Sequence, residues 1–176
     1  MPGHKRITLK NWMLPDPASA ALAMVSRLDG SARPITPEDY VAPALQPQLY
    51  ATVPEDVRDL YEVARGALAY GYFFYPLFTL ATDQCLRVAE AAVDAKAQAF
   101  GCPKKVKHFY DRIEWLVARG AISPADRESW HGLRELRNEG SHPRNQHIFT
   151  ASIVFDMFRH VAARVNSLFP AIEPAE

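Results

Sequence analysis

The sequence predicts an all-α fold, an up-and-down bundle of four to five helices with a proline-rich N-terminal arm. Three observations predict it. Apolar residues recur at helical spacing over most of the chain from Thr52 onward. Capping residues and glycines punctuate that pattern where helices should start and stop. No strand-like alternation of useful length follows residue 50. The 176 residues suit one domain with an appendage, at roughly 150 residues per domain. The boundaries drawn are 1–51 for the arm and 52–176 for the helical bundle.

The arm is defined by Pro15, Pro17, Pro34, Pro37, Pro43 and Pro47, a density that favours short pieces joined by extended segments. Asp16 followed by Pro17 reads as a cap and first-turn proline opening a helix through ASAALAMVSRL, which Gly30 stops. Thr36-Pro37-Glu38-Asp39 opens a second. Such an arm either wraps the main domain or holds a partner. Thr52 to Glu55 fits a capping box for a helix running to about Tyr70. The run YGYFFYPLF, residues 70 to 78, carries six aromatics around Gly71 and Pro76 and reads as core or subunit contact. The next helix spans about Leu77 to Phe100 and ends at Gly101. Another, about Lys105 to Arg119, presents Val106, Phe109, Ile113 and Val117 on one face and stops at Gly120. Ser123-Pro124-Ala125-Asp126 starts a helix to Asn138 or Glu139. The last helix, about Asn145 to Phe169, has Val154, Phe158, Val161, Val165 and Leu168 as its stripe.

Composition narrows the function classes. With 48% hydrophobic and 23% charged residues the chain reads as an ordinary globular protein. Its formal net charge is zero, so no global field draws it to nucleic acid or to an anionic membrane, and any RNA contact must be local. Two cysteines, Cys85 and Cys102, form neither a metal spacing nor a disulfide framework. No Walker motif, Rossmann glycine pattern or serine-hydrolase elbow occurs. Neither a signal peptide nor a membrane span is read, and a cytoplasmic protein without metal or cofactor is expected.

The segment LRELRNEGSHPRNQH, residues 133 to 147, carries the candidate chemistry. Trp130, Leu133 and Arg137 share one helix face. If Trp130 and Leu133 point to the core, Arg137 sits at its edge and needs a partner, because an unpaired buried charge is costly. Leu86, Glu90, Val93, Ala97 and Phe100 form a second stripe, in which Glu90 is the carboxylate on an apolar line. Glu90 with Arg137 is the expected pair, the alternative being a solvated Glu90 at the margin of its stripe. Pro143 biases His142 to extended backbone, which lets its ring lie beside the helix end. Arg137 and His142 then reach one phosphate, with Arg144 and His147 widening the cationic patch. The plainer alternative stays open: Arg137 as a cation favoured near a helix C-terminus, Gly140 as the C-cap, His142 as loop.

The order Arg137, Asn138, three residues, His142, set between the last two helices of an α-helical domain, resembles the signature of the HEPN superfamily. That signature is an arginine, four to six residues, then a histidine, often with asparagine after the arginine. Residues 83 to 101, DQCLRVAEAAVDAKAQAFG, resemble the family's earlier core helix, with Glu90 in the region of its polar residue. The resemblance covers about Thr52 to Phe169. It implies RNA cleavage without a metal. His142 would be the general acid or base, Arg137 would neutralise the scissile phosphate, and Asn138 would orient one of them. The products would be a 2′,3′-cyclic phosphate and a 5′-hydroxyl. Arg144 stands where an antitoxin-linked subgroup has a tyrosine, so that subgroup's modification mechanism is not expected.

Two functions follow. The first is a metal-independent endoribonuclease in toxicity, defence or RNA processing, with an antitoxin or defence complex as partner. The second is a non-catalytic HEPN-like binding or assembly module. For the first, a homodimer is expected, because two histidines and two arginines around one phosphate supply the base, acid and cation that one copy lacks.

Overall fold

A computed structural model describes residues 5–26, 28–140 and 149–171. Within them seven helices form an all-α bundle: α1 (Pro17–Ala20), α2 (Pro37–Leu45), α3 (Glu55–Tyr70), α4 (Leu77–Ala99), α5 (Phe109–Val117), α6 (Arg127–Gly140) and α7 (Ala151–Leu168). Two three-residue strands, β1 (Ala23–Val25) and β2 (Ala32–Pro34), pair antiparallel with Met24 opposite Arg33. None of the described helices is long and apolar enough to cross a membrane.

The centre of the bundle is α4, whose 23 residues span about 35 Å. It packs against α3, α5, α6 and α7. Its buried alanines, Ala81, Ala89, Ala92 and Ala97, carry little bulk and leave room for neighbours on several sides. On α7 the whole stripe Val154, Phe158, Val161, Val165 and Leu168 is buried, as its spacing predicts. Gly101 and Gly120, both at positive φ, follow the ends of α4 and α5.

The N-terminal segment docks on this bundle through Asp16 and Tyr40. Tyr40 of α2 is buried, and its ring lies 5.8 Å from that of Tyr72, 5.6 Å from Phe78 and 5.2 Å from Phe155. Asp16 is likewise buried: its N–H donates to Tyr72 O at 3.0 Å, and its Oδ2 accepts from Tyr75 N at 3.1 Å. The aromatic run of residues 70 to 78 is therefore core and the seat of the N-terminal segment. Tyr72 and Phe78 are buried, while Tyr70 stays exposed.

Four expected boundaries move. Asp16 caps α1 as predicted, accepting from Ala18 N, but the helix ends at Ala20 instead of running toward Gly30. A short isolated helix is marginal in water, and this one has little to pack on, since Met24 and Val25 are exposed. The chain pairs with itself instead, Ser26 N donating to Ser31 O, and Gly30 at φ 71° closes the hairpin turn. Thr52 does not cap α3: its Oγ1 donates to Phe169 O at 2.6 Å, and Pro54 precedes the helix with no side-chain cap. The fifth helix begins at Phe109, not Lys105, because the lysine-rich stretch before it offers only Val106 for burial. That stretch turns instead, Val106 N donating to Pro103 O. The last helix begins at Ala151 after a non-helical Phe149 and Thr150, later than Asn145. By contrast Thr36 and Asp39 form the reciprocal capping box that opens α2. Ser123 and Asp126 make a similar capped turn just before α6.

Candidate functional site

Trp130 and Leu133, both buried, fix the rotation of α6 about its axis. Arg137, one turn beyond Leu133 on the same face, comes to the edge of the core. There its Nε donates to Glu90 Oε2 of α4 at 2.8 Å. The two helices run antiparallel at this contact, so that Gly140 at the end of α6 reaches Asp83, two turns before Glu90 on α4. The pair predicted from two interrupted apolar stripes therefore forms. It is less buried than the sequence argument assumed: the side chains of Arg137 and Glu90 are 34% and 31% exposed. Water screens such a pair, and its worth is near 1 kcal/mol, not the ~3–5 kcal/mol of a fully desolvated one.

Asn138, the next residue, is exposed. His142, Arg144 and His147 lie outside the described residues. Asp83 was not singled out by spacing, although it stands seven residues before Glu90 and so shares its face. Burial raises its carboxyl above the usual 3.8, and the nearby Arg87 opposes that shift.

A second polar cluster, also not singled out, borders the first. On α5, Glu114 Oε1 accepts from Arg127 Nε at 2.8 Å and from His131 Nε2 at 2.7 Å, and Oε2 accepts from Arg127 Nη2 at 3.1 Å. The Arg127 guanidinium first, and His131 second, hold the Glu114 carboxyl below its usual 4.5. His131 is buried and stacks on Tyr110, ring centroids 4.8 Å apart. The Arg134 guanidinium lies 5.5 Å from the same Tyr110 ring. His131 Nδ1 and Arg134 Nε are buried without a hydrogen-bond partner among the described residues. The signal for this cluster was present in the sequence: Arg127, His131, Arg134 and Asn138 are spaced i, i+4, i+7, i+11, one continuous stripe of α6.

On the opposite side of α6 an open cleft of about 630 Å³ separates it from α7, lined by Ser129, Leu133, Leu136, Ile153, Met157 and His160. Ser129 Oγ and His160 Nε2 are 2.9 Å apart. Burial, with Arg164 second, lowers the His160 pKa from 6.5 and favours the neutral ring. Among the described residues no three His, Cys, Asp or Glu side chains converge as a metal site would.

The described residues thus form an all-α bundle of seven helices with an arginine–carboxylate pair joining α4 to the end of α6. Residues 54–170 match the family described as a domain of unknown function (DUF4145), and the chain belongs to that family. Comparisons with curated proteins and with solved structures give no match.

Proposed function

We propose that the protein is a metal-independent endoribonuclease of the HEPN type, an up-and-down bundle with an N-terminal arm over 1–51 and a catalytic turn after α6. The observation that supports it best is the Arg137–Glu90 pair at 2.8 Å, in the last turn of α6 and five residues before His142 in sequence. A catalytic guanidinium must be aimed before substrate arrives, and a carboxylate on a neighbouring helix aims it. A pair exposed by about a third also leaves Arg137 within reach of a phosphate from solvent.

In this mechanism the ribose 2′-hydroxyl attacks the adjacent phosphorus, and the bond from phosphorus to O5′ breaks. One histidine takes the 2′-proton and another supplies the proton to O5′. Arg137 offsets the charge that builds on the non-bridging oxygens, and Asn138 orients the phosphate or His142. Arg144 and His147 hold the flanking RNA. A homodimer supplies the two His142 and two Arg137 side chains that this scheme uses. Toxicity, defence or RNA processing in the cytoplasm is the setting, with an antitoxin or defence complex as protein partner.

The test is purified protein with mixed single-stranded RNAs in EDTA, followed by end-group analysis. Cleavage leaving 2′,3′-cyclic phosphates, lost in His142→Ala and in Arg137→Ala with the helical circular dichroism unchanged, is the expected result. Cleavage that survives both substitutions moves the site elsewhere. RNA left intact in every condition selects the other reading, a non-catalytic HEPN-like binding or assembly module.

A further inference from the structure

We infer that Tyr110, with Arg134 beside it and the lysines of the α4–α5 connection, is a docking platform for an unpaired base of single-stranded RNA. The inference rests on the RNA reading above and adds the subsite that holds the substrate next to the reacting phosphate.

Tyr110 is 46% exposed, an unusual amount for a ring already engaged with two neighbours. Both neighbours, His131 and Arg134, belong to α6, so the ring is braced from one side and open on another. His131 cannot move easily: it is 7% exposed and fixed to Glu114 at 2.7 Å, which Arg127 fixes in turn. A braced aromatic ring with free surface suits base stacking, because its ordering cost is met before the ligand binds.

Charge favours a phosphate chain along the same face. Lys104, Lys105 and Lys107 are exposed and make no ion pair among the described residues. Of the carboxylates around the platform, Glu114 is held by Arg127 and His131 and Glu135 by Arg134, while Asp111, beside Tyr110, is exposed. Lys104, Lys105 and Lys107 outnumber that one carboxylate, so the local field is more positive than the zero net charge of the chain suggests.

The position relative to Arg137 gives the platform its role. Arg134 precedes Arg137 by three residues of α6, about 4.5 Å of rise. Both residues that brace Tyr110 thus lie within two turns of Arg137 on α6, and the platform is assigned to a base of the strand whose phosphate Arg137 holds. Duplex RNA offers no unstacked base to such a ring, so the fit is to single strands.

The experiment is fluorescence anisotropy with a labelled single-stranded 2′-O-methyl RNA of about 12 nucleotides, whose blocked 2′-oxygen cannot attack the phosphate, using the full chain as wild type, Tyr110→Phe, Tyr110→Leu and the triple Lys104→Ala, Lys105→Ala, Lys107→Ala. Tyr110→Phe keeps the affinity. Tyr110→Leu, its fold checked by thermal melting, weakens binding by about 5- to 100-fold. The triple variant lowers the salt slope of log K by about 2. Equal affinity for Tyr110→Leu and wild type, tighter binding of duplex than of single strand, or no RNA binding overturns the platform. The two readings separate cleanly. Tyr110-dependent binding without cleavage keeps the platform and removes the nuclease, whereas cleavage indifferent to Tyr110→Leu does the reverse.

Discussion

Gly140, the last residue of α6, closes against Asp83 of α4: a β-carbon at Gly140 would stand 2.5 Å from the Asp83 Oδ1. The contact lies two turns along α4 from the Arg137–Glu90 pair, so together the two contacts fix where α6 ends relative to α4. His142 follows two residues later in the sequence.

Gly140→Ala is predicted to be close to neutral, because the Asp83 side chain offsets the usual gain. In an open helix position alanine gains up to about 1 kcal/mol over glycine. Here the new methyl displaces only the end of the Asp83 side chain, which turns away at a cost of about 1 kcal/mol. The net change is near zero with Asp83 in place, and it becomes a gain of up to about 1 kcal/mol in the Asp83→Ala background. Denaturant melts of the four members of this cycle measure both. Equal effects in the two backgrounds would show that Asp83 is not the obstacle.

Asp83 also gives a pH dependence whose sign is fixed. Its folded pKa is raised, with burial the first cause, so the folded state favours the protonated carboxyl. The stability this contributes is fully present below the unfolded value near 3.8 and is lost as pH rises through the folded pKa. Asp83→Asn should therefore melt above wild type at pH 7, and the difference should shrink as the pH approaches 3.8. A difference that grows on acidification would reverse the assignment.

Glu90→Gln should cost little stability and more function. The pair is about a third exposed, so its loss amounts to about 1 kcal/mol in denaturant melts. Glutamine keeps an oxygen acceptor for Arg137 Nε but loses the charge that holds the guanidinium in one pose. In the ribonuclease reading, kcat falls about tenfold, a loss of ~1.4 kcal/mol of positioning, with KM for RNA little changed. A stability loss above about 3 kcal/mol would mean that the site is desolvated after all.

What the sequence made legible follows the range of the interactions. The α7 stripe and the Glu90–Arg137 pair were legible because each reads from the period of a single helix: a carboxylate and a guanidinium each interrupt one apolar line. Asp83 sits on the same line as Glu90, but its importance comes from Gly140, whose approach no local pattern reports. Thr52 looked like a cap because local rules favour it. Its hydroxyl is taken by Phe169 at the far end of the bundle, a competitor that only the tertiary fold supplies. The helix expected beyond Ala20 failed similarly, since propensity proposed it and the absence of a packing surface for Met24 and Val25 removed it. The Tyr110–His131 stack joins two helices through side chains that each resemble an ordinary surface residue in sequence.

The ribonuclease reading uses a homodimer, and the described surface limits where its contact lies. Most of the aromatic run of residues 70 to 78 is occupied by the bundle core and the N-terminal segment, which leaves it a poor subunit contact. The face between α6 and α7 is open, and it exposes Leu136 at 38% and Ile153 at 51%. Leu136 directly precedes Arg137, so a two-fold contact through this face brings both Arg137 residues toward one axis. Light scattering at micromolar concentration should give twice the chain mass for wild type. The double variant Leu136→Lys, Ile153→Lys should give the chain mass with helical content preserved, because four lysines then face one another across the contact. Cleavage should fall with dimer content across a dilution series and vanish in the double variant. A monomeric double variant that cleaves RNA at the wild-type rate would show that one chain carries a complete site.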